Sequence, residues 1–304
     1  MKPVKIAAVV VTYKTKALLE NCLKSLYTEM ASLGCSCLVT VVDNASNDGT
    51  AEMVREKFPE ALLQINTENL GPARGFNRGI SGIIEKAENI LVLNSDIEIL
   101  PGTLRAMLEV LENEPDVDGV SGPLLNEDHN RQMIKTHIWR LRPVDFEKRF
   151  RIEFVGTTFA LIRAATFHKI GGYDENYYFH NEDLDWAVHA KREGYRFMYL
   201  PDAPVIHFQS KGKIQNQSRI IRETYCSDIY FYKKFYPRWA FLAYGASNLN
   251  LDMLIRSHRS KLKRETNPEK QAELSRILAD YIEAKERMKQ EYHTNRPPKV
   301  PQWN

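Results

Sequence analysis

The first 120 residues alternate between short apolar runs and segments in which apolar residues recur every three or four positions. Lys5 to Thr12, Leu38 to Val42, Ala61 to Ile65 and Ile90 to Leu93 read as buried strands. Between them, Leu18, Leu19, Cys22, Leu23 and Leu26 fall on one helical face. Asp43–Thr50 is turn-rich and leads into a second helix, with Ser46, Asn47 or Asp48 available as its cap. Asn69–Gly79 opens a third, with Pro72 in its first turn. Such alternation predicts βαβ units and a mainly parallel sheet flanked by helices, an α/β fold with a Rossmann-like first half.

The pattern then loosens. Pro101 to Asn113 reads as a helix and Asp118 to Ser121 as a short strand. Asn126 to Phe150 is a polar, irregular insertion carrying Arg131, Lys135, His137, Trp139, Arg140 and Arg142, the composition of a loop near a ligand. Phe154 to Ile162 reads as a strand, Gly171 to Asp174 as a turn, and Asn181 to Glu193 as a helix with its acids in the first turn, where the helix dipole favours them. Trp186 on that helix reads as core. Short strands follow at Tyr195 to Leu200 and Val205 to His207, with Lys211-Gly212 in a polar loop behind. From Ser218 the chain reads as helical to about Tyr292, with interruptions at Pro237, around Gly245 and at Pro268. Arg296 to Asn304, with three prolines, reads as a frayed end. The expected division is 1–217, itself split at 122/123, followed by a helical extension over 218–304.

Composition narrows this picture. The 304 residues are 43% hydrophobic and 27% charged, the make-up of a globular protein with a sizeable core. No apolar run approaches the roughly 20 residues that span a bilayer. The apolar run Ile6 to Val11 is too short for a secretory signal core. The cysteines at 22, 35, 37 and 226 lack zinc-ligand spacing, so reduced thiols in a cytoplasmic protein are expected. Net charge is +3; residues 251–304 hold 12 Lys/Arg against 8 Asp/Glu, so the tail carries +4 and the remainder −1. With the net positive charge confined to the tail and no recognition motif, a nucleic-acid partner is not expected.

Two predicted strands end on an acid, Asp43 and Asp96, which brings two carboxylates to one edge of a sheet, the edge where open α/β sheets bind ligands. Either acid alone could equally be a turn cap. Asp183 at a helix start and His207 at a strand end add further candidates. Transfer from a nucleotide-diphosphate sugar needs a cation to neutralise the leaving diphosphate and a base at the acceptor hydroxyl. Asp96 and His207 have the chemistry for the first, and Asp183 for the second.

In order along the chain stand Val9–Tyr13 (VVVTY), Val41–Thr50 (VVDNASNDGT), Asn69–Gly75 (NLGPARG), Leu93–Asp96 (LNSD), Gly171–Glu175 (GGYDE), Asn181–Asp185 (NEDLD) and Val205–His207 (VIH). Together they resemble family 2 glycosyltransferases, nearest the rhamnosyltransferase-like branch, over residues 4–212. The resemblance implies a GT-A fold and inverting, metal-dependent transfer with Mg²⁺ or Mn²⁺. It places Thr12, Tyr13 and Asp43 at the nucleoside, and Asn69, Gly71 and Gly75 by the nucleotide; Arg74 stands where the family often has a small residue, and meeting the diphosphate or lying on a solvated helix face are equally open to it. It places Asn94, Ser95 and Asp96 at the family's Asp-x-Asp position, where Asn94 replaces the first acid and leaves one carboxylate fewer. Asp96 and His207 would hold the metal; Asp183 would be the general base, with Glu182 and Asp185 orienting it or touching the acceptor. Deoxythymidine-diphosphate rhamnose is the expected donor, and a saccharide or lipid-linked saccharide in cell-surface polysaccharide synthesis the acceptor. Uridine-linked galactofuranose, glucose or N-acetylglucosamine is the alternative donor, and a catalytically silent glycan- or nucleotide-binding scaffold the alternative function.

The tail is aromatic as well as basic. Tyr225, Ile229, Tyr232, Lys233 and Tyr236 share a helical repeat, Trp239, Phe241 and Tyr244 follow, and Arg256, Arg259, Lys261, Lys263 and Arg264 come behind. Helices packed on the catalytic domain are one reading. A membrane-facing surface at the inner face of the cell membrane, or a homodimer surface, is the other.

Overall fold

A computed structural model describes residues 3–132, 145–153, 155–209 and 217–303. Lys135, His137, Trp139, Arg140 and Arg142 of the expected loop, and Lys211-Gly212, lie outside the described residues. The chain divides into two compact units: residues 1–175, 182–212 and 300–304 form the first, and residues 176–181 and 213–299 the second.

The first unit is built on β1 (Val4–Thr12), whose continuous apolar run follows from being covered on both faces. Successive side chains point to opposite sides of a strand, so Ile6, Ala8 and Val10 enter one core while Ala7 and Val9 enter the other. Four parallel strands follow the expected order: β2 (Cys37–Asp43), β3 (Leu62–Ile65) and β4 (Ala87–Asn94) join β1 in the arrangement β3-β2-β1-β4. Antiparallel β9 (Phe159–Arg163) then extends the sheet through β6 (Gly119–Ser121), β10 (Phe197–Tyr199) and β8 (Phe150–Ile152). Helices α1 (Lys16–Leu33), α2 (Thr50–Lys57) and α4 (Thr103–Asn113) bury their apolar residues in one core, and α3 (Gly71–Ser81), α5 (Ala164–Ile170) and α6 (Glu182–Arg192) in the other. Trp186 of α6 is core, 2% exposed.

A small sheet completes this unit. β5 (Ile97–Ile99), immediately after Asp96, pairs antiparallel with β11 (Val205–His207), and β11 pairs in parallel with β7 (Leu124–Leu125). Its register sets His207 opposite Ile97.

The second unit consists of α7 (Gln217–Phe235), α8 (Pro237–Arg264) and α9 (Pro268–His293), packed around Ile229, Leu251, Ala284 and Met288. Pro237 and Pro268 stand at helix starts, where a missing amide N–H is harmless, and the Asn267 side chain accepts from the backbone N–H of Glu269 and Lys270. The expected break at Gly245 is absent: α8 runs through it, since one exposed glycine costs a helix only about 1 kcal/mol. No described helix is long and apolar enough to cross a membrane. Nor is the end of the chain frayed throughout, because Val300 to Trp303 belongs to the first unit, packed on Gly171 and Gly172.

Candidate active site

Register brings the candidate residues to one sheet edge. Thr12 pairs with Asp43 and Val11 with Asn94, so three adjacent parallel strands end together. Asp43 is 2% exposed; its Oδ1 accepts from the Ser46 backbone N–H at 3.0 Å and from the Ser46 hydroxyl at 2.5 Å. Both bonds fall on one carboxylate oxygen. Ser46 is thereby used at Asp43 rather than as a helix cap, and Asp48 instead accepts from the N–H of Thr50. Tyr13 is half-buried beside Lys14, whose ammonium lies 5.4 Å from the ring centroid.

A chain of hydroxyls crosses the strand ends. Thr12 Oγ1 lies 2.9 Å from Thr15 Oγ1, which lies 2.7 Å from Ser95 Oγ. Thr15 was not singled out from the sequence because a threonine directly before a helix reads as its cap; here its side chain makes no cap bond. Asn44 was missed for a similar reason. Buried at the end of β2, it donates to the Gly71 carbonyl at 3.2 Å and accepts from Asn66 at 2.6 Å, tying the strand end to the start of α3. Asn69 Oδ1 accepts from the Gly71 N–H at 3.0 Å, and Gly71 adopts φ of 80°, where a side chain would be strained. Gly75 faces the sheet instead: a Cβ there would lie 2.8 Å from Val11 Cγ1, so this glycine sets how closely α3 packs on β1. Arg74 is 42% exposed in its side chain, 3.9 Å from Glu175.

The acid of β4 meets the histidine of the small sheet. Asp96 is 5% exposed, and its Oδ2 lies 3.5 Å from His207 Nε2. Gln132 fixes the imidazole. Its side-chain amide donates to the carbonyls of His207, at 2.6 Å, and Leu125, at 3.0 Å, so its Oε1 faces His207 Nδ1 at 3.0 Å as an acceptor. In neutral His207 the proton therefore sits on Nδ1 and the Nε2 lone pair points at the carboxylate. A carboxylate oxygen and an imidazole lone pair at this separation fit a cation held between them, with bonds of about 2.1 Å. An amide holding the far nitrogen is the usual support for a metal-binding histidine. Among the described residues no three metal-capable side chains cluster, so two protein ligands would leave further positions for diphosphate oxygens. Gln132 lies in the stretch read only as an irregular insertion and carries no sequence signal.

The acids of α6 form a second cluster. Glu182 is 5% and Asp185 1% exposed, whereas Asp183 is half-buried and accepts from the Leu184 N–H at 2.8 Å. Burial, then the neighbouring Asp183 charge, pushes Glu182 up to about 8. Burial and the charges of Asp183 and Glu182 likewise hold the Tyr173 phenol well above its ordinary value. Asp185 Oδ1 lies 3.7 Å from His189 Nε2. Of the three acids, Asp183 is the least buried.

Comparison with known proteins identifies the family and the fold. The sequence model of glycosyltransferase-like family 2 matches residues 3–226. The chain is 26% identical, over 84% of its length and 94% of the relative's, to the N-acetylglucosaminyl-diphospho-decaprenol L-rhamnosyltransferase of Mycobacterium tuberculosis. Its fold is similar to the Pyrobaculum calidifontis mannosyltransferase PcManGT solved with GDP-Man and Mn²⁺ (TM-score 0.52, 17% identity, 93% of this chain and 86% of that one). It is also similar to S. aureus TarS (TM-score 0.53, 15% identity, 94% and 91%). GalNAc-T7 with UDP, GalNAc and Mn²⁺ aligns at a TM-score of 0.55 and 12% identity, over 77% of this chain, which spans about half the length of that enzyme. The fold is GT-A, and the chain belongs to glycosyltransferase family 2, on its rhamnosyltransferase-like side.

Proposed function

We propose that the chain is an inverting, metal-dependent rhamnosyltransferase. It moves L-rhamnose from dTDP-L-rhamnose to a saccharide or lipid-linked saccharide acceptor in cell-surface polysaccharide synthesis, at the cytoplasmic face of a membrane. The observation that carries the metal-dependent part is the Gln132-oriented His207 facing Asp96 at 3.5 Å. The rhamnose donor and the lipid-linked acceptor are supported by the 26% identity to a relative named for both.

In this reading the unengaged oxygen of Asp43 accepts from the pyrimidine N3–H, beside Thr12 and Tyr13. Asn69 and Gly71 shape the backbone near the nucleotide, Arg74 reaches the diphosphate, and Asn94 and Ser95 line the corner next to Asp96. Asp96 and His207 would hold Mg²⁺ or Mn²⁺, which would supply charge neutralisation for the departing diphosphate. Asp183 takes the proton of the acceptor hydroxyl as that oxygen bonds to the anomeric carbon and the bond from that carbon to the diphosphate breaks. Attack opposite the leaving group inverts the anomeric centre. Glu182 and Asp185, buried on either side, set the orientation of the helix turn bearing Asp183.

The test is a donor panel of dTDP-L-rhamnose and the UDP-linked galactofuranose, glucose and N-acetylglucosamine, each with Mn²⁺ or Mg²⁺ and an N-acetylglucosaminyl-diphospho-polyprenol acceptor. Rhamnose transfer with metal, abolished by chelator, is expected. Turnover of a UDP-sugar alone would reassign the donor, since uracil and thymine offer Asp43 the same N3–H. Tight nucleotide binding without transfer or hydrolysis of any donor would make the chain a binding scaffold.

A further inference from the structure

Four described residues beyond the long helices belong to the catalytic unit. Val300, Pro301, Gln302 and Trp303 run across the turn Gly171-Gly172, and the fit depends on both glycines lacking side chains. A Cβ on Gly171 would lie 2.5 Å from Gln302 Nε2 and 2.9 Å from both the Pro301 carbonyl oxygen and Val300 Cγ1. A Cβ on Gly172 would lie 2.7 Å from the Trp303 ring and 2.9 Å from Pro301 Cγ. Hydrogen bonds hold the segment at two points. The Gly172 N–H donates to the Pro301 carbonyl at 2.9 Å, and His168 Nδ1 donates to the Trp303 carbonyl at 3.0 Å.

The turn beneath joins the two parts of the proposed site. On one side, the Trp186 indole N–H of α6 donates to the Gly171 carbonyl at 2.9 Å, and Trp186 follows Asp183 by one helical turn. On the other, Asn77 of α3 brackets Tyr173: its Oδ1 accepts from the Tyr173 N–H and its Nδ2 donates to the Tyr173 carbonyl, both at 2.8 Å. α3 starts at Gly71, inside the donor-side motif. Gly171, Gly172 and Tyr173 are thus three consecutive residues bonded in turn to the acid helix, the returning segment and the donor-side helix.

The geometry points to Val300–Trp303 as a positioning strap of the transferase site, one that fixes where the acid helix stands relative to the donor-side helix by clamping the Gly171-Gly172 turn. None of its residues contacts a reacting atom in this role; it acts through Gly171, Gly172 and Trp186. A displacement on the order of 1 Å at the base costs an enzyme about 100-fold. Loosening the strap should lower the rate of transfer and leave the donor pocket at β1, β2 and β4 intact. The inference rests on the proposed role of Asp183, so its test carries one arm that needs no substrate.

That arm is amide hydrogen exchange in the full chain, comparing wild type with Trp303→Ala and Trp303→Phe. The alanine variant is expected to exchange faster over residues 171–186, with β1 and β4 unchanged, and the phenylalanine variant to restore protection by keeping a ring against Phe167, whose ring centroid lies 6.2 Å from that of Trp303. The second arm is turnover with the donor that the wild type uses. Trp303→Ala should lower kcat by between about tenfold and 100-fold, with donor KM within about twofold of wild type and recovery in Trp303→Phe. Unchanged exchange, or faster exchange with unchanged kcat, would overturn the strap. So would a fall in kcat matched by a rise in donor KM, which marks general loosening. A wild type that turns over a different donor would sink the rhamnose assignment and leave both arms in force.

Discussion

His207 Nε2 stands 3.5 Å from Asp96 Oδ2, and the tautomer that makes this contact meaningful is set by Gln132 rather than by either partner. The pair arises from topology. β4 delivers Asp96, the chain turns directly into β5, and the antiparallel pairing of β11 on β5 lays His207 alongside. Gln132 bonds both the ring and the backbone of His207, so it fixes the ring's direction as well as its neutral tautomer.

Replacing Gln132 therefore tests the metal corner without touching a proposed ligand. Gln132→Leu removes the acceptor at Nδ1 and lets the imidazole rotate or change tautomer. Losing such a support typically weakens metal binding about 10- to 100-fold. The expected result is a rise of that size in the Mn²⁺ concentration needed for half-maximal activity, with kcat recovered at saturating metal. A metal titration indistinguishable from wild type would remove Gln132 from the site.

The acid helix supplies a pH prediction. Glu182 is held protonated in the folded chain up to about pH 8, chiefly by burial and then by the Asp183 charge, while in the unfolded chain it ionises near its ordinary value of 4.5. Between these values the native state binds more protons than the unfolded state, so this group makes stability fall as pH rises from about 4.5 to about 8. Glu182→Gln keeps the shape and removes the titration. Its melting temperature should change less with pH across that window than wild type, and should exceed wild type most at the alkaline end. Parallel melting curves for the two proteins would show that Glu182 is not held protonated.

For the base itself, Asp183→Asn keeps size and hydrogen bonding to the Leu184 N–H while removing the proton acceptor. General-base groups contribute about 10²- to 10⁴-fold. Transfer should fall by that range, nucleotide binding measured by calorimetry should hold, and melting should stay close to wild type. Near-wild-type transfer would move the role to another group.

What the sequence made legible follows from how each feature is encoded. Strands buried on both faces are written as continuous apolar runs, so β1 and β4 could be placed, and the polar residue that ends each run marked Asp43, Asp96 and His207 as edge residues. Gln132, Thr15 and Asn44 act through partners 75, 80 and 27 positions away, a pairing no local pattern records. β8 was missed between the polar insertion and the strand expected from Phe154 because three residues at a sheet edge need no apolar run. The strap was read as frayed because three prolines remove backbone donors, yet Pro301 is used through its carbonyl, which proline keeps.

α3 offers a stability test independent of catalysis. Gly75→Ala would press a methyl group against Val11 Cγ1, at 2.8 Å, and Asn44 Nδ2, at 3.3 Å, in a helix whose buried face lies flat on β1 and β2. Overpacking of this kind costs about 1–3 kcal/mol. A gain in helix propensity of about 1 kcal/mol opposes it, so a net loss of up to about 2 kcal/mol is expected in urea unfolding. Because Asn44 also bonds the Gly71 carbonyl, the nucleotide should bind more weakly as well. A variant more stable than wild type would mean the sheet yields at Val11.

The exposed face of α8 carries the prediction about location. Trp239, Phe241, Leu242, Leu249 and Met253 are each 55–67% exposed, a concentration of large apolar side chains that water does not favour. The same helix holds Arg238, Arg256, Arg259, Lys261, Lys263 and Arg264, against a single carboxylate, Asp252, which is paired with Lys285 at 2.6 Å. Two copies of so basic a helix would repel, whereas an anionic bilayer attracts the charges, at about 1 kcal/mol for each Lys or Arg near the surface, and takes up the apolar side chains. The full chain is expected to sediment with vesicles containing phosphatidylglycerol and to remain free with pure phosphatidylcholine. Raised salt should weaken the binding, and Trp239→Ser with Leu242→Ser should reduce it about tenfold or more, at roughly 25 cal/mol for each Å² of apolar surface withdrawn from water. Unchanged free protein with either vesicle, together with a concentration-dependent dimer in sedimentation, would assign this face to a second copy of the chain.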